Sequence, residues 1–129
     1  MKKVLLVLIA FLLVSSLFIS PSFAALKKSQ RIIVSAYRTT KDVRAVFSNV
    51  KYAKKISYEL SYTRLGGIND GAGGTIIPKG KTITKILTLG SCSTGNVCTY
   101  HKGIKNIKLK VTTWYAPSLT VETKIYSIK

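Results

Sequence analysis

Acidic residues are scarce in this 129-residue chain: Asp42, Glu59, Asp70 and Glu122 stand against 21 Lys and Arg. Hydrolysis by paired carboxylates needs two such groups flanking one bond, and nothing in the spacing of these four brings two together. Histidine is scarcer still, with His101 alone. A base-activated nucleophile needs a base and a group that orients it, and no Gly-x-Ser-x-Gly elbow is present. One His and two Cys cannot fill a four-ligand zinc cage, and Asn69 with Asp70 offers too few oxygens for calcium. Gly80-Lys81-Thr82 follows a glycine-rich stretch, but Pro78 precedes it and a β-pattern follows, so no helix start is available to hold a phosphate. These shortages predict a protein that is not an enzyme, with no metal, no cofactor and no small-molecule substrate. His101 is expected to be a surface or turn histidine.

Only two cysteines occur, Cys92 and Cys98. Their spacing is not the Cys-x-x-Cys of a redox centre, and they are expected to form a structural disulfide, provided the chain is exported. Closing so short a loop stabilises by roughly 2 kcal/mol on the chain-entropy model. Export is read from the N-terminus. Lys2 and Lys3 precede an uncharged apolar run from Val4 to Ile19, then Ser20-Pro21-Ser22-Phe23-Ala24-Ala25. Small residues at Ser22 and Ala24 make this the layout of a secretory signal peptide, with cleavage after Ala24 and Ala25 as the alternative. A retained leader would instead be a membrane anchor, although its apolar run falls short of the ~20 residues of a spanning helix. The first Cys lies too far along for lipoprotein processing. The chain thus divides into a signal segment, 1–24, and one domain, 25–129, placed outside the cell or in its envelope.

No segment after the leader has a helical period. Short runs rich in Val, Ile, Thr and Tyr alternate with turn signals instead, the pattern of an all-β domain. Runs are expected over 31–37, 43–50, 56–63, 82–89, 97–100, 107–113 and 119–128, with a short one at 75–77. The clearest is 56–63, where Ile56, Tyr58, Leu60 and Tyr62 share one face and Ser57, Glu59, Ser61 and Thr63 the other. Lys85 interrupts the apolar face of Ile83, Leu87 and Leu89, which implies a bulge or an edge strand. Five glycines between Gly66 and Gly74 point to a mobile loop. The predicted core is Val43, Phe47, Ile56, Tyr58, Leu60, Tyr62, Ile83, Leu87, Leu89, Ile107, Leu109, Val111 and Ile125. Two packed antiparallel sheets are the simplest way to bury such faces. The expectation is therefore a single Greek-key antiparallel β-sandwich of seven or eight strands behind a hydrophobic signal helix, with a small closed barrel as the alternative.

The run Ile56-Ser57-Tyr58-Glu59-Leu60-Ser61-Tyr62-Thr63, after Val43-Arg44-Ala45-Val46-Phe47, resembles two adjacent strands of an immunoglobulin-like or fibronectin type III-like domain. Lys105-Asn106-Ile107-Lys108-Leu109-Lys110-Val111 followed by a hairpin is similar to the last strand pair of such domains. The chain departs from antibody-type domains in its cysteines, which are too close to bridge two sheets, and in Trp114, which does not lie between them. The resemblance implies an immunoglobulin-like architecture with no active site, and a role in adhesion, assembly or spacing.

Charge is the most unusual feature. The formal net charge is +17, and without Lys2 and Lys3 the domain carries +15. Such a surface attracts polyanions, although lysines also solubilise sheets and guard their edges. Two clusters are candidates for polyanion contact: Lys51, Lys54 and Lys55, and Lys102, Lys105, Lys108 and Lys110. Trp114 and Tyr115 are candidates for aromatic contact if they point outward, and the alternative is a bulge that turns Trp114 into the core or a ring that covers the end of the sandwich. The function expected is a non-catalytic secreted or cell-surface structural, adhesion or interaction module. Its partner would be an anionic envelope polymer or another surface protein. The alternative is a cationic polyanion-binding protein with antimicrobial action, taking an envelope polymer, glycan or nucleic acid.

Overall fold

A computed structural model of the chain describes residues 25–95, 97–118 and 120–129, and the expected signal segment, 1–24, lies outside them. The described residues form nine strands: β1 (Ile33–Arg38), β2 (Asp42–Ser48), β3 (Ala53–Arg64), β4 (Ile68–Ile76), β5 (Thr82–Thr88), β6 (Gly90–Cys92), β7 (Cys98–Tyr100), β8 (Lys105–Tyr115) and β9 (Val121–Ile128). Single 3-10 turns precede β1 and β3, at Lys28–Gln30 and Val50–Tyr52. Among the described residues no helix is long and apolar enough to cross a membrane.

All strand pairs are antiparallel. One sheet has the order β1-β2-β5, a second β4-β3-β8-β9, and β6 and β7 make a small hairpin of their own. The chain lays down β1 and β2, crosses to the second sheet for β3 and β4, returns for β5, and crosses again for β8 and β9. Period-2 alternation then turns one face of each large sheet toward a shared core. Val43, Ala45 and Phe47 of β2 join Ile56, Leu60 and Tyr62 of β3 and Ile107, Leu109, Val111 and Tyr115 of β8 in one buried cluster. The Phe47 ring lies 6.3 Å from that of Tyr58.

Ten of the thirteen predicted core positions are buried. Tyr58 and Ile83 are only half-buried at the rim of the cluster. Ile125 is a correction: it is 65% exposed. It pairs with Lys110, an outward residue, so the ladder turns Tyr126 and Ile128 inward instead. The core also recruits Ile32, Val50, Ala53, Ile76 and Ile104, which lie at strand ends or beyond them, where no alternation marks them. Lys85 sits on an edge strand whose register with β2 runs without a shift. The edge position, and not a bulge, explains a half-buried lysine there, since an inward-leaning charge guards an edge against further pairing.

The second correction concerns the glycine-rich segment. Residues 68–76 form β4, paired with β3 in continuous register from Arg64↔Ile68 to Ile56↔Ile76. Low intrinsic propensity is overridden by the long partner strand, because Gly71 and Gly73 let two backbones approach closely. A Cβ on Gly71 would run into the Leu60 carbonyl oxygen, and one on Gly74 would come within 2.6 Å of the Tyr58 hydroxyl. Gly71→Ala is therefore expected to cost about 1–3 kcal/mol, the usual range for overpacking. A thermal melt beside Gly67→Ala checks whether close approach is the cause. Gly67 meets nothing within 4 Å but has a φ of +74°, so its cost is conformational alone.

Candidate polyanion-binding face

The side chains that do not enter the core form the outer face of the four-stranded sheet. Register sets them in rows. Lys55 lies opposite Trp114 and Val121; Ser57 opposite Thr112 and Thr123; Glu59 opposite Lys110 and Ile125; Ser61 opposite Lys108 and Ser127. On the far side of β3, Thr75, Gly73 and Gly71 continue the last three rows. The face is thus built mainly of small and hydroxylated residues, with lysines and one tryptophan rising from it.

Trp114 points outward, in phase with Lys108 and Lys110, and is half-buried. Its cover comes from Lys55, whose Nζ sits 4.1 Å from the ring centroid, within the range of a cation–π contact. No inward bulge occurs at Trp114; the register shift lies at Ala53/Lys55 on the facing strand. The other member of the predicted aromatic pair is a correction. Tyr115 is 1% exposed and belongs to the core. Its hydroxyl accepts a hydrogen bond from Ile32 N–H at 3.1 Å and donates one to Glu122 Oε2 at 3.2 Å.

The two lysine clusters occupy opposite ends of one ladder. Lys51, Lys54 and Lys55 lead into β3, whose start meets the end of β8 at Ala53↔Tyr115. Lys102 and Lys105 lead into β8, whose start meets the end of β3 at Thr63↔Lys105. Lys108 and Lys110 lie between them on the outer face. From Lys55 to Lys105 the ladder runs about 27 Å at the usual rise per strand residue. Only one acid shares the outer face: Glu59, with Oε2 3.9 Å from Lys110 Nζ. Lys51 leans instead on the neighbouring Tyr52 ring, 4.7 Å from its centroid.

Cys92 and Cys98 are joined, with Sγ–Sγ at 2.10 Å, across the β6–β7 hairpin. Just beyond, His101 departs from the surface position expected of it, its side chain being only 10% exposed. Its Nδ1 lies 3.0 Å from the Tyr62 hydroxyl and 3.5 Å from Asp70 Oδ2, and its Nε2 lies 3.5 Å from Ser91 Oγ. Asp70 also meets Arg64 Nε at 3.4 Å. Ser91, His101 and Asp70 thus stand in nucleophile–base–acid order, brought together from three separate parts of the chain. Both outer distances exceed the 2.6–3.2 Å of a working nucleophile–base bond, and Nδ1 is shared between a phenol and a carboxylate. The arrangement acts as a polar clamp that ties the small hairpin to β3 and β4.

Burial pushes the Tyr115 phenol above the ordinary tyrosine range, and the nearby Glu122 charge adds to the rise against the Ile32 hydrogen bond, which lowers it. Burial likewise raises Tyr62, helped by Asp70, and Tyr126, helped by Glu122. A raised folded-state pKa favours the neutral phenol in the native protein. Its contribution is whole below about pH 10 and is lost as pH climbs through the raised value. Part of the phenolate absorbance should therefore appear only at higher pH, together with loss of structure. In Tyr115→Phe the alkaline fall in stability should be shallower, while at neutral pH the variant should be weaker by about 1–3 kcal/mol because Ile32 N–H loses its acceptor.

Comparison of the chain with protein-family models, with curated proteins and with solved structures finds no match.

Proposed function

We propose that the protein is an exported, non-catalytic Greek-key β-sandwich that works at the cell surface as an interaction module, and that its partner is an anionic polymer. The observation that carries this reading is the shared outward face of Lys55, Lys108, Lys110 and Trp114, with six further residues of the same rows hydroxylated. Repeated phosphate, sulfate or carboxylate groups along an extended polymer suit a stripe of lysines better than a concave pocket would. The strand order supports the immunoglobulin-like part of the proposal. Strands one, two and five share a sheet, as A, B and E do in immunoglobulin-like domains, and the third strand and the last two share the other, as C, F and G do. In this alignment the fourth strand sits beside the third, where variable-type domains place C′. The long distances within the Ser91, His101 and Asp70 cluster support the non-catalytic part.

Trp114 is the chain's one tryptophan and stands on the proposed face. A polyanion that draws Lys55 off the ring should change its emission, saturably and reversibly with salt. Titration with heparin, an envelope polymer and duplex DNA tests this and ranks the polymer classes. Unchanged emission with all three, at low salt, would refute the proposed face.

A further inference from the structure

A concave feature lies on the opposite side of β9, away from the lysine face. The strands β1 and β9 are edges of different sheets, and between them runs a cleft of about 520 Å³. Its walls are Ile32, Val34 and Tyr126, and its rim carries Lys28, Arg31 and Lys124. The volume falls within the roughly 300–1,000 Å³ of small-ligand sites, which are mostly apolar with a few placed polar groups. A separate crevice of about 10 Å³ shares Ile32, Val34, Lys124 and Tyr126 with it and is lined as well by Val111, Thr113 and Glu122.

Charge decides what kind of ligand fits. Three cations surround the cleft, and the one acid there is Glu122. Its Oε1 lies 3.2 Å from Arg31 Nη1 and 3.4 Å from Lys124 Nζ. The rim thus already recognises a carboxylate of the protein's own, and Lys28 is a further cation at the mouth. An apolar trough with a cationic rim matches a molecule with an apolar body and one anionic end. Glu122 offsets one of the three rim charges, and a neutral or cationic amphiphile would leave the other two uncompensated.

We propose that the β1–β9 cleft binds a free, single-chain anionic amphiphile of fatty-acid type, its apolar body against Ile32, Val34 and Tyr126 and its head group on Lys28, Arg31 and Lys124. This site is independent of the lysine face, since β9 presents its inner-facing residues here and Val121, Thr123, Ile125 and Ser127 there.

The test is calorimetric titration of the full chain with monomeric dodecanoate, with dodecyltrimethylammonium as the cationic counterpart of equal chain length. Saturable binding of one dodecanoate per chain, with the cation at least about tenfold weaker, is expected. Lys28→Glu with Lys124→Glu, both exposed positions, should weaken dodecanoate by at least about tenfold, or about 1.4 kcal/mol. Val34→Trp, which fills the trough, should abolish binding. If that variant fails to fold, the double charge reversal carries the test by itself. The triple change Lys55, Lys108 and Lys110→Glu should leave dodecanoate binding unchanged. Equal affinity for the two amphiphiles, absence of saturation, or capture only by dodecanoate-containing vesicles and not by monomers would overturn the proposal.

Discussion

Leu60→Ala should destabilise the domain by about 2–5 kcal/mol, the cost of deleting a buried leucine and leaving a cavity. Leu60 is 1% exposed at the centre of β3, facing Leu109 of β8 across the ladder. Total stabilities are about 5–15 kcal/mol, so the variant loses a large part of what holds the fold. Ile125→Ala should change stability by less than about 0.5 kcal/mol, as surface substitutions do. The two residues look equivalent in the sequence, each an aliphatic side chain in an alternating run, and the paired denaturant melts separate them. Equal losses would show that β9 is out of register with the arrangement described above.

The second large effect concerns binding. Replacing Lys55, Lys108 and Lys110 together by glutamate should remove most affinity for duplex DNA and for anionic glycans. Each phosphate neutralised contributes about 0.9 to the slope of log affinity against log salt on duplex DNA. The triple variant should therefore lose about 2.7 from that slope. The three contacts alone correspond to a change of about 40-fold between about 50 and 200 mM salt. A control with Lys27, Lys79 and Lys81→Glu has the same net charge, and its three positions are exposed and away from the β3–β8 ladder. If the control loses as much as the test variant, the attraction belongs to the +15 charge as a whole and not to this face.

The β class and most of the core were legible because β2, β3 and β8 are long enough for period 2 to be unambiguous. Polar residues fall on one side of β3 and lysines on one side of β8, and each fixes its strand's phase without knowledge of a partner. β9 shows the limit. Val121 and Ile125 are apolar on one face, Tyr126 and Ile128 on the other, so only pairing with β8 chooses between them. β4 was hidden for a different reason. Its glycines argue against any strand locally, and the force that makes one is the twelve-residue partner β3 beside it.

The candidate site divides in the same way. That Lys108, Lys110 and Trp114 share a face follows from alternation within one strand. That Lys55 covers Trp114 does not, because the two are 59 positions apart and meet through a register shift. Tyr115 enters the core although its neighbour Trp114 faces outward, because consecutive strand residues face opposite ways. The cluster of Tyr62, Asp70, Ser91 and His101 left no local trace, since its members come from β3, β4, β6 and the segment after β7. A lone histidine close to a disulfide was the only signal, and it indicates position without indicating neighbours.

The β6–β7 hairpin adds to neither large sheet, and the Cys92–Cys98 bond holds its two strands with Cα atoms 4.0 Å apart. Inside the bond, Ser93 N–H donates to Val97 O at 2.8 Å. Changes of length or composition between these two residues are therefore insulated from the core by a covalent collar. Exposed loop tips are where insertions are best tolerated, and a segment whose ends are already fixed loses less freedom when it binds. The hairpin is thus a natural graft point: a foreign peptide placed between Ser93 and Val97 would be carried as a constrained loop on a highly charged, self-repelling scaffold.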